Sequence, residues 1–243
     1  MTEPAAVPDH QHEPDHAHGS SLSDMDARTR ALESLLVERG LVDPDALDEI
    51  VDYYEREVGP HRGAHVVALA WTDPAFREWL LRDATAAVAS LGYTGRQGEH
   101  LVAVECTPDQ HHLVVCTLCS CYPWPILGLP PVWYKSPAYR AKAVRDPRGA
   151  LGDAGVTLPE GTAIRVWDST AEVRYLVVPL RPAGTDGWFA DALATLVTRD
   201  AMIGMGLATT PDGAIPGGTA PDGTAPEVGC RAAASAGASG EGS

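Results

Sequence analysis

The stretch VVCTLCSCYPWPILGLPP, from Val114 to Pro131, holds three cysteines within six residues and four prolines directly after them. Cys116, Cys119 and Cys121 join a C-x-x-C spacing to a C-x-C spacing, which allows three thiolates to bind one ion as the chain turns around it. The prolines stop the segment from continuing as a helix and stiffen it. The spacing therefore predicts a metal-binding loop rather than a packing role for these thiols.

The same spacing brings two peptide nitrogens, those of Ser120 and Cys121, against the ion. A trivalent metal in a strong ligand field could deprotonate both amides, and three sulfurs with two nitrogens would leave one position open for a substrate. A structural zinc site is one alternative, with Cys106, His111 or His112 as its fourth ligand. A redox-active C-x-x-C pair is another. Spacing alone leaves the metal undecided.

Composition narrows the classes of function. The chain has 243 residues, is 44% apolar and carries a formal net charge of −15, so we expect one or two folded domains and no binding to nucleic acid. No apolar run approaches the ~20 residues of a membrane span. The first 21 residues contain no Lys or Arg and no apolar segment. We therefore expect no secretory signal and a cytoplasmic location, where cysteines stay reduced.

The order of the predicted elements indicates an α+β fold, with a helical N-terminal arm followed by a layered α/β/β/α domain. Residues 1–21 are rich in His, Pro and acidic residues, and residues 208–243 are rich in Gly, Ala and Pro, so both are predicted to be disordered. Residues 22–62 are predicted to form a helical segment. Residues 63–207 are predicted to form the metal-binding catalytic domain.

Apolar periodicity and capping residues locate the individual elements. Helices are predicted over residues 21–40, 43–59, 73–92 and 187–204. Strands are predicted over residues 100–106, 111–116, 162–168 and 173–180. A short polar turn separates the last two strands, which predicts a hairpin.

The motif VCTLCSC, followed by YPWPILGLPPVWYKSPAYR, resembles the metal loop of the nitrile hydratase α subunit. The resemblance covers about residues 28–207 and includes VDYYEREVGP, GRQGEH, RDPRGAL, IRVWDSTAEVRYLVVPLRPAGTDGW and LVTRDAMIG. It implies sulfur ligands from Cys116, Cys119 and Cys121, and nitrogen ligands from Ser120 and Cys121. It also implies that Cys119 is oxidised to a sulfinate and Cys121 to a sulfenate.

The resemblance further assigns the metal and the residues around it. Thr117 and Tyr122 match the cobalt members of the family, which implies one low-spin Co(III) per chain rather than iron. Gln97, within GRQGEH, matches a residue beside the metal site, and Trp124 matches one that lines the substrate pocket. Two more positions match a supporting polar network: Arg174 and Asp168.

The implied activity is the hydration of small nitriles to amides, with the sulfenate oxygen of Cys121 as one candidate nucleophile. The chain would be active only beside a β subunit, in an αβ or α2β2 assembly, after an activator protein has loaded cobalt. The γ subunit of thiocyanate hydrolase, which shares the cobalt loop, is an alternative, although Trp124 favours nitrile hydratase. A non-catalytic zinc-binding module is the more distant alternative.

Three features fall outside the resemblance. Cys106 stands where the cobalt members usually have Asn, and we expect a buried thiol at the end of a strand. His111 and His112 are expected to be surface or strand-end residues rather than ligands. The His-rich arm of residues 1–21 is expected to be solvated chain.

Overall fold

A computed structural model describes residues 24–94, 100–119 and 121–212. The chain divides into two compact units, the first ending at Asp52 and the second beginning at Tyr53. Four of the predictions lie outside the described residues: the N-terminal arm, most of the C-terminal tail, Gln97 and Ser120. Helices and short strands are mixed in the second unit, which confirms the predicted α+β class.

Two helices, α1 (Asp24–Glu38) and α2 (Pro44–Asp52), form the described part of the first unit. Asp43 caps α2, because its Oδ1 accepts a hydrogen bond from the Asp45 N–H at 3.0 Å. Among the side chains described in this unit none is buried. Apolar residues are exposed on both helices and, at Leu41, in the turn between them: Leu32, Leu35, Leu41, Leu47, Ile50 and Val51.

The second unit begins with a π-helical turn and, over its described residues, continues with eight α-helices. These elements are the turn Tyr53–Val58, α3 (His61–Thr72), α4 (Pro74–Arg82), α5 (Ala84–Ser90), α6 (Trp124–Leu127), α7 (Pro137–Arg145), α8 (Pro147–Asp153), α9 (Ala190–Ala194) and α10 (Arg199–Ile203). A 3₁₀ turn, Val132–Lys135, lies between α6 and α7. No helix in the described ranges is both long and apolar enough to cross a membrane.

The strands of the second unit form two parallel pairs. They are β1 (His100–Glu105) with β4 (Val173–Val178), and β2 (Gln110–Val115) with β3 (Ala163–Asp168). The predicted hairpin is wrong, because β3 and β4 each pair with a different, earlier strand. The tight turn between them, closed by the Thr170 N–H and the Val173 carbonyl at 2.9 Å, carries the chain from one pair to the other. Turn composition alone does not distinguish these two outcomes.

Helices pack against both strand pairs: α4 and α5 against β1, α10 against β4, α7 against β2, and α8 against β3. Residues 73–92 hold two helices rather than the single predicted one. Asp83 interrupts them with an extended backbone (φ −150°), and its side chain accepts from the Ala86 N–H at 3.0 Å, which starts a new helix. Residues 187–204 are likewise divided between α9 and α10.

Helix α3 was not predicted from the sequence. Six of its twelve residues are buried, including Val66 and Val67 in the core. Such a helix lacks the polar face that gives an amphipathic helix its periodic signal. Its apolar run therefore carries no signature that separates it from a buried strand.

Candidate metal centre

The parallel pair β2–β3 places the start of the cysteine loop. Its register opposes Val115, the last residue of β2, to Asp168, the last residue of β3. Cys116 follows β2 directly, so the loop leaves the sheet beside the Asp168 carboxylate. Asp168 accepts two hydrogen bonds from Thr117, one from the backbone N–H at 2.9 Å and one from the hydroxyl at 2.5 Å. The carboxylate therefore fixes the first turn of the loop.

The three sulfurs of the loop converge. The Sγ atoms of Cys116 and Cys119 are 3.5 Å apart, and those of Cys119 and Cys121 are 3.1 Å apart. All three lie within 4.8 Å of one another. Two sulfurs bound to one ion at about 2.3 Å and at a right angle would be about 3.3 Å apart. The observed spacing therefore fits a single metal ion held by three thiolates.

The fourth ligand of a structural zinc site does not come from the residues considered for it. Among the described residues, the group able to hold a metal contains the three loop cysteines and none of Cys106, His111 or His112. These three lie together elsewhere, with Cys106 Sγ at 3.7 Å from His111 Nδ1 and at 3.4 Å from the His112 backbone N. The part of the chain that is described thus offers no such tetrahedral set.

The Cys106 group is instead a buried, hydrogen-bonded part of the core. Cys106 is 5% exposed, which confirms the predicted buried thiol, and burial raises the pKa of this thiol to about 11. Both histidines are buried near the start of β2, which excludes the surface alternative and agrees with the expected strand-end positions. His111 Nε2 pairs with the Gly204 carbonyl at 2.7 Å, and His112 Nδ1 accepts from the Trp167 indole N–H at 3.0 Å. Burial lowers the pKa of each imidazole.

Two buried phenols hold the loop from behind. The Tyr134 hydroxyl, on the 3₁₀ turn, donates to the Cys121 carbonyl at 2.9 Å. The Tyr139 hydroxyl, on α7, donates to the Val114 carbonyl at 2.6 Å, two residues before the first cysteine. Both ends of the cysteine segment are thereby tied to one aromatic cluster, in which the two tyrosine rings are 5.9 Å apart.

A third side chain, Arg140, also holds the loop: its Nη1 donates to the Cys119 carbonyl at 3.2 Å. None of these three contacts was predicted from the sequence. A signal was present in the dipeptide Ser136–Pro137. Ser136 caps α7 by accepting from the Tyr139 N–H at 3.1 Å, and Pro137 takes the first helical position. Recognising this cap predicts a helix whose first turn carries Tyr139 and Arg140.

The electrostatics of the loop favour the binding of a cation by the three sulfurs. The charge of Arg174 also favours a negative charge on Cys121. Burial raises the pKa of the Cys121 thiol to about 12, and the neighbouring Cys119 and Cys116 add to the effect. The Arg174 charge opposes that rise. Arg174 is only 8% exposed, and within the described residues its Nε and Nη1 have no hydrogen-bond partner. A buried guanidinium in this state favours an anionic acceptor nearby.

Trp124 begins α6, three residues after Cys121, and is half-buried. Its indole meets the ring of Tyr54 edge-on, with centroids 5.3 Å apart. Three predicted residues that are not metal ligands are thus connected to the loop. Trp124 follows it in sequence, the charge of Arg174 acts on Cys121, and Asp168 accepts hydrogen bonds from Thr117.

Comparisons with known proteins find relatives across most of the chain. The family model "Nitrile hydratase, alpha chain" matches residues 23–206. The high-molecular weight cobalt-containing nitrile hydratase subunit alpha of Rhodococcus rhodochrous is 56% identical over 199 residues, which are 82% of this chain and 98% of that protein. Thiocyanate hydrolase subunit gamma of Thiobacillus thioparus is 40% identical over 76% of this chain and 81% of its own length.

Solved structures show the same similarity. A double mutant of the Fe-type nitrile hydratase from Comamonas testosteroni Ni1 has a TM-score of 0.72 and 40% sequence identity, over 87% of this chain and 100% of that one. A recombinant thiocyanate hydrolase with partially modified cobalt centres has a TM-score of 0.69 and 38% identity, over 84% and 98%.

Proposed function

This chain belongs to the nitrile hydratase alpha-chain family, and we propose that it acts as the α subunit of a cobalt nitrile hydratase, converting nitriles to amides. The observation that carries the proposal is the convergence of three cysteine sulfurs within 4.8 Å. Cobalt rather than iron is supported by the names of relatives in Rhodococcus rhodochrous and Pseudonocardia thermophila, which are 56% and 55% identical and cobalt-containing.

The proposed ligands are the sulfurs of Cys116, Cys119 and Cys121 and the amide nitrogens of Ser120 and Cys121, for one Co(III) per chain. When bound, the cobalt supplies a Lewis acid that polarises the C≡N bond. Three thiolates suit this ion, since their charge is otherwise costly in so confined a space.

Oxidation of Cys119 to a sulfinate and of Cys121 to a sulfenate, by an external peroxide-level oxidant that delivers three oxygen atoms and leaves as water, is the second part of the proposal. Its support is the buried Arg174, whose charge acts on Cys121 and whose Nε and Nη1 donors lack partners within the described residues. Sulfur-bound oxygens are acceptors of the kind these donors need. Arg174 would then stabilise the oxidised form of the loop.

The remaining residues have roles that follow from the reaction, in which water adds its oxygen to the nitrile carbon and both hydrogens end on nitrogen. An oxygen on Cys121 would attack that carbon, and water adding to the same carbon would then release the Cys121 oxygen; alternatively, the Cys121 oxygen would accept the proton of the attacking water. Trp124 would form a wall against the nitrile side chain, and Gln97 would hydrogen-bond beside the metal. Asp168 would keep Thr117, and with it the loop, in place.

A β subunit is the proposed partner, in an αβ or α2β2 assembly. Large apolar side chains of the second unit are exposed, notably Leu118 in the loop and Val132 just after it, at 85% and 84%. The helices of the first unit expose further apolar residues. Surface of this kind favours association with another chain. We also propose an activator protein for cobalt loading in the cytoplasm, where the thiols are reduced beforehand, and residues 63–207 as the catalytic domain.

The test is to purify the chain with its β subunit after growth in cobalt, and to measure metal content, intact mass and amide formation from acetonitrile. We expect one cobalt per chain, a mass increase of about three oxygen atoms on the peptide with the cysteine loop, and hydration. Bound zinc with unmodified thiols and no hydration would contradict the proposal.

Thiocyanate hydrolysis is the second candidate, because the Thiobacillus thioparus relative is 40% identical over most of its length. The same preparation is assayed with thiocyanate in parallel with acetonitrile. We expect hydration of acetonitrile to be the faster reaction. Turnover of thiocyanate alone would replace the proposed activity with this one.

A further inference from the structure

The π-helical turn Tyr53–Val58 presents an aromatic side chain to the tryptophan beside the metal loop. The ring centroid of Tyr54 lies 5.3 Å from that of Trp124, and the two planes are at 86°. This is the edge-to-face arrangement that aromatic pairs favour. Among the described aromatic residues, Tyr54 is the one whose ring contacts Trp124 in this way.

The Tyr54 ring is itself held in place. Its edge meets Tyr53 with centroids 5.4 Å apart and planes at 77°. The Tyr53 hydroxyl accepts a hydrogen bond from Arg62 Nη2 at 3.0 Å, and the guanidinium carbon lies 5.6 Å from the Tyr53 ring centroid. Contacts between neighbouring groups therefore run from Arg62 through both tyrosines to Trp124.

The backbones of the two elements are also in close contact. Gly128, directly after α6, has φ +70°, and a Cβ built there would lie 2.7 Å from the Tyr54 carbonyl oxygen. That oxygen already accepts the Gly59 N–H at 3.0 Å, the bond that closes the π turn. Glycine has no Cβ and allows this close approach, so the backbone of the π turn packs directly against the end of α6. The π turn thus fixes Tyr54 relative to Trp124.

We propose that Tyr54 is a positioning residue for substrate specificity, whose ring fixes the indole plane of Trp124 and thereby the shape of the site open to the nitrile side chain. This inference rests on the proposed function, in which Trp124 forms a wall of the substrate site. A fixed wall favours flat, aromatic side chains that lie against it. A small aliphatic nitrile makes little contact with the wall and depends on it less.

The test uses Tyr54→Leu and Tyr54→Phe in the chain co-purified with its β subunit. Tyr54→Met, which also removes the ring, is made in parallel in case one variant fails to fold. The matched control is Phe76→Leu on α4, which removes a ring that meets Trp79 edge-on at 6.4 Å. Cobalt content, kcat and KM are measured for acetonitrile and for benzonitrile.

Loss of the Tyr54 ring should lower kcat/KM for benzonitrile by roughly two- to tenfold, mainly through KM, as expected for one edge-to-face pair. Acetonitrile should change less than twofold, and cobalt content should not change. Tyr54→Phe should match the wild type, and Phe76→Leu should leave the ratio of the two substrates unaltered.

The inference fails if the Leu and Met variants keep the wild-type ratio of benzonitrile to acetonitrile activity. It also fails if Phe76→Leu shifts that ratio as much, since the effect would then be one of general stability. Failure of the wild-type, cobalt-loaded enzyme to hydrate either nitrile would overturn the proposed function itself, and is distinct from an unaltered ratio in an active enzyme.

Discussion

Replacing Tyr134 with Phe removes one hydroxyl from behind the metal loop and tests whether that hydroxyl sets the loop's shape. Tyr134 is 0% exposed, and its hydroxyl donates to the Cys121 carbonyl at 2.9 Å. The phenylalanine ring fills the same space, so no cavity forms. The Cys121 carbonyl is left without this donor in a buried position.

The expected cost is about 1–3 kcal/mol, the range for leaving one partner of a buried hydrogen bond unsatisfied. For a chain of this size each kcal/mol lowers Tm by about 2–4 °C, so a fall of roughly 2–12 °C is expected. Because the lost bond lies on a ligand residue, the metal-binding conformation of the loop should be roughly 5- to 160-fold less populated. Cobalt loading should therefore need correspondingly more cobalt.

The assay compares Tyr134→Phe with Tyr139→Phe, each co-expressed with the β subunit. Tyr139→Phe also removes a buried hydroxyl, but its acceptor is Val114 in β2 rather than a ligand residue. Tm should fall in both variants, whereas the cobalt concentration for half-maximal loading should rise clearly only in Tyr134→Phe. Equal loading of Tyr134→Phe and wild type, or an equal defect in Tyr139→Phe, would refute the reasoning.

Further predictions concern the loop and the core beside it. Asp168→Asn should weaken the bonds to Thr117 by about 1 kcal/mol and reduce cobalt loading without changing the circular dichroism spectrum. Unchanged loading would contradict the role of Asp168 in holding the loop. The pKa of Cys106 is raised to about 11 by burial, so the stabilising effect of its buried proton is complete below pH 9 and is lost as pH rises through 11. Between pH 8 and pH 11, Cys106→Ala should lose about 2.3 kcal/mol less unfolding free energy in urea than the wild type, and equal losses would contradict this. Gly204→Ala should destabilise the chain by about 3 kcal/mol or more, since φ is +85° and the new Cβ would overlap the His112 carbonyl oxygen; a wild-type Tm would refute it.

The metal loop was predictable because its ligands are local. Three sulfurs within six residues can meet only if the intervening chain turns, so spacing alone indicates a shared ion. The capped starts of α2 and α4 were predictable for the same reason, since Asp43 and Asp73 act on N–H groups two or three residues away. Interactions between residues within one turn of each other can be predicted from the sequence.

Strand pairing and the clamps on the loop were not predictable in this way. The β3–β4 turn is compatible with a hairpin, but the observed parallel pairs join strands far apart in the chain, with His100 opposite Val173 and Gln110 opposite Ala163. Tyr134 and Tyr139 are ordinary core residues by composition, and their hydroxyls gain a role only when the loop folds over them. The two hydroxyl contacts join residues 13 and 25 positions apart, and sequence periodicity does not predict contacts at that separation.

The backbone and the side chains of the loop have separate roles: the backbone is held by neighbouring residues, and the cysteine side chains provide the sulfur ligands. Three side chains, Asp168, Tyr134 and Arg140, hold the peptide groups of the loop by accepting from an N–H or donating to a carbonyl. The loop's shape is therefore set through its backbone, and the sulfurs stay available as ligands. Changes to these three side chains should consequently alter how readily the metal is taken up, while changes around Trp124 should alter which nitriles are hydrated once it is bound.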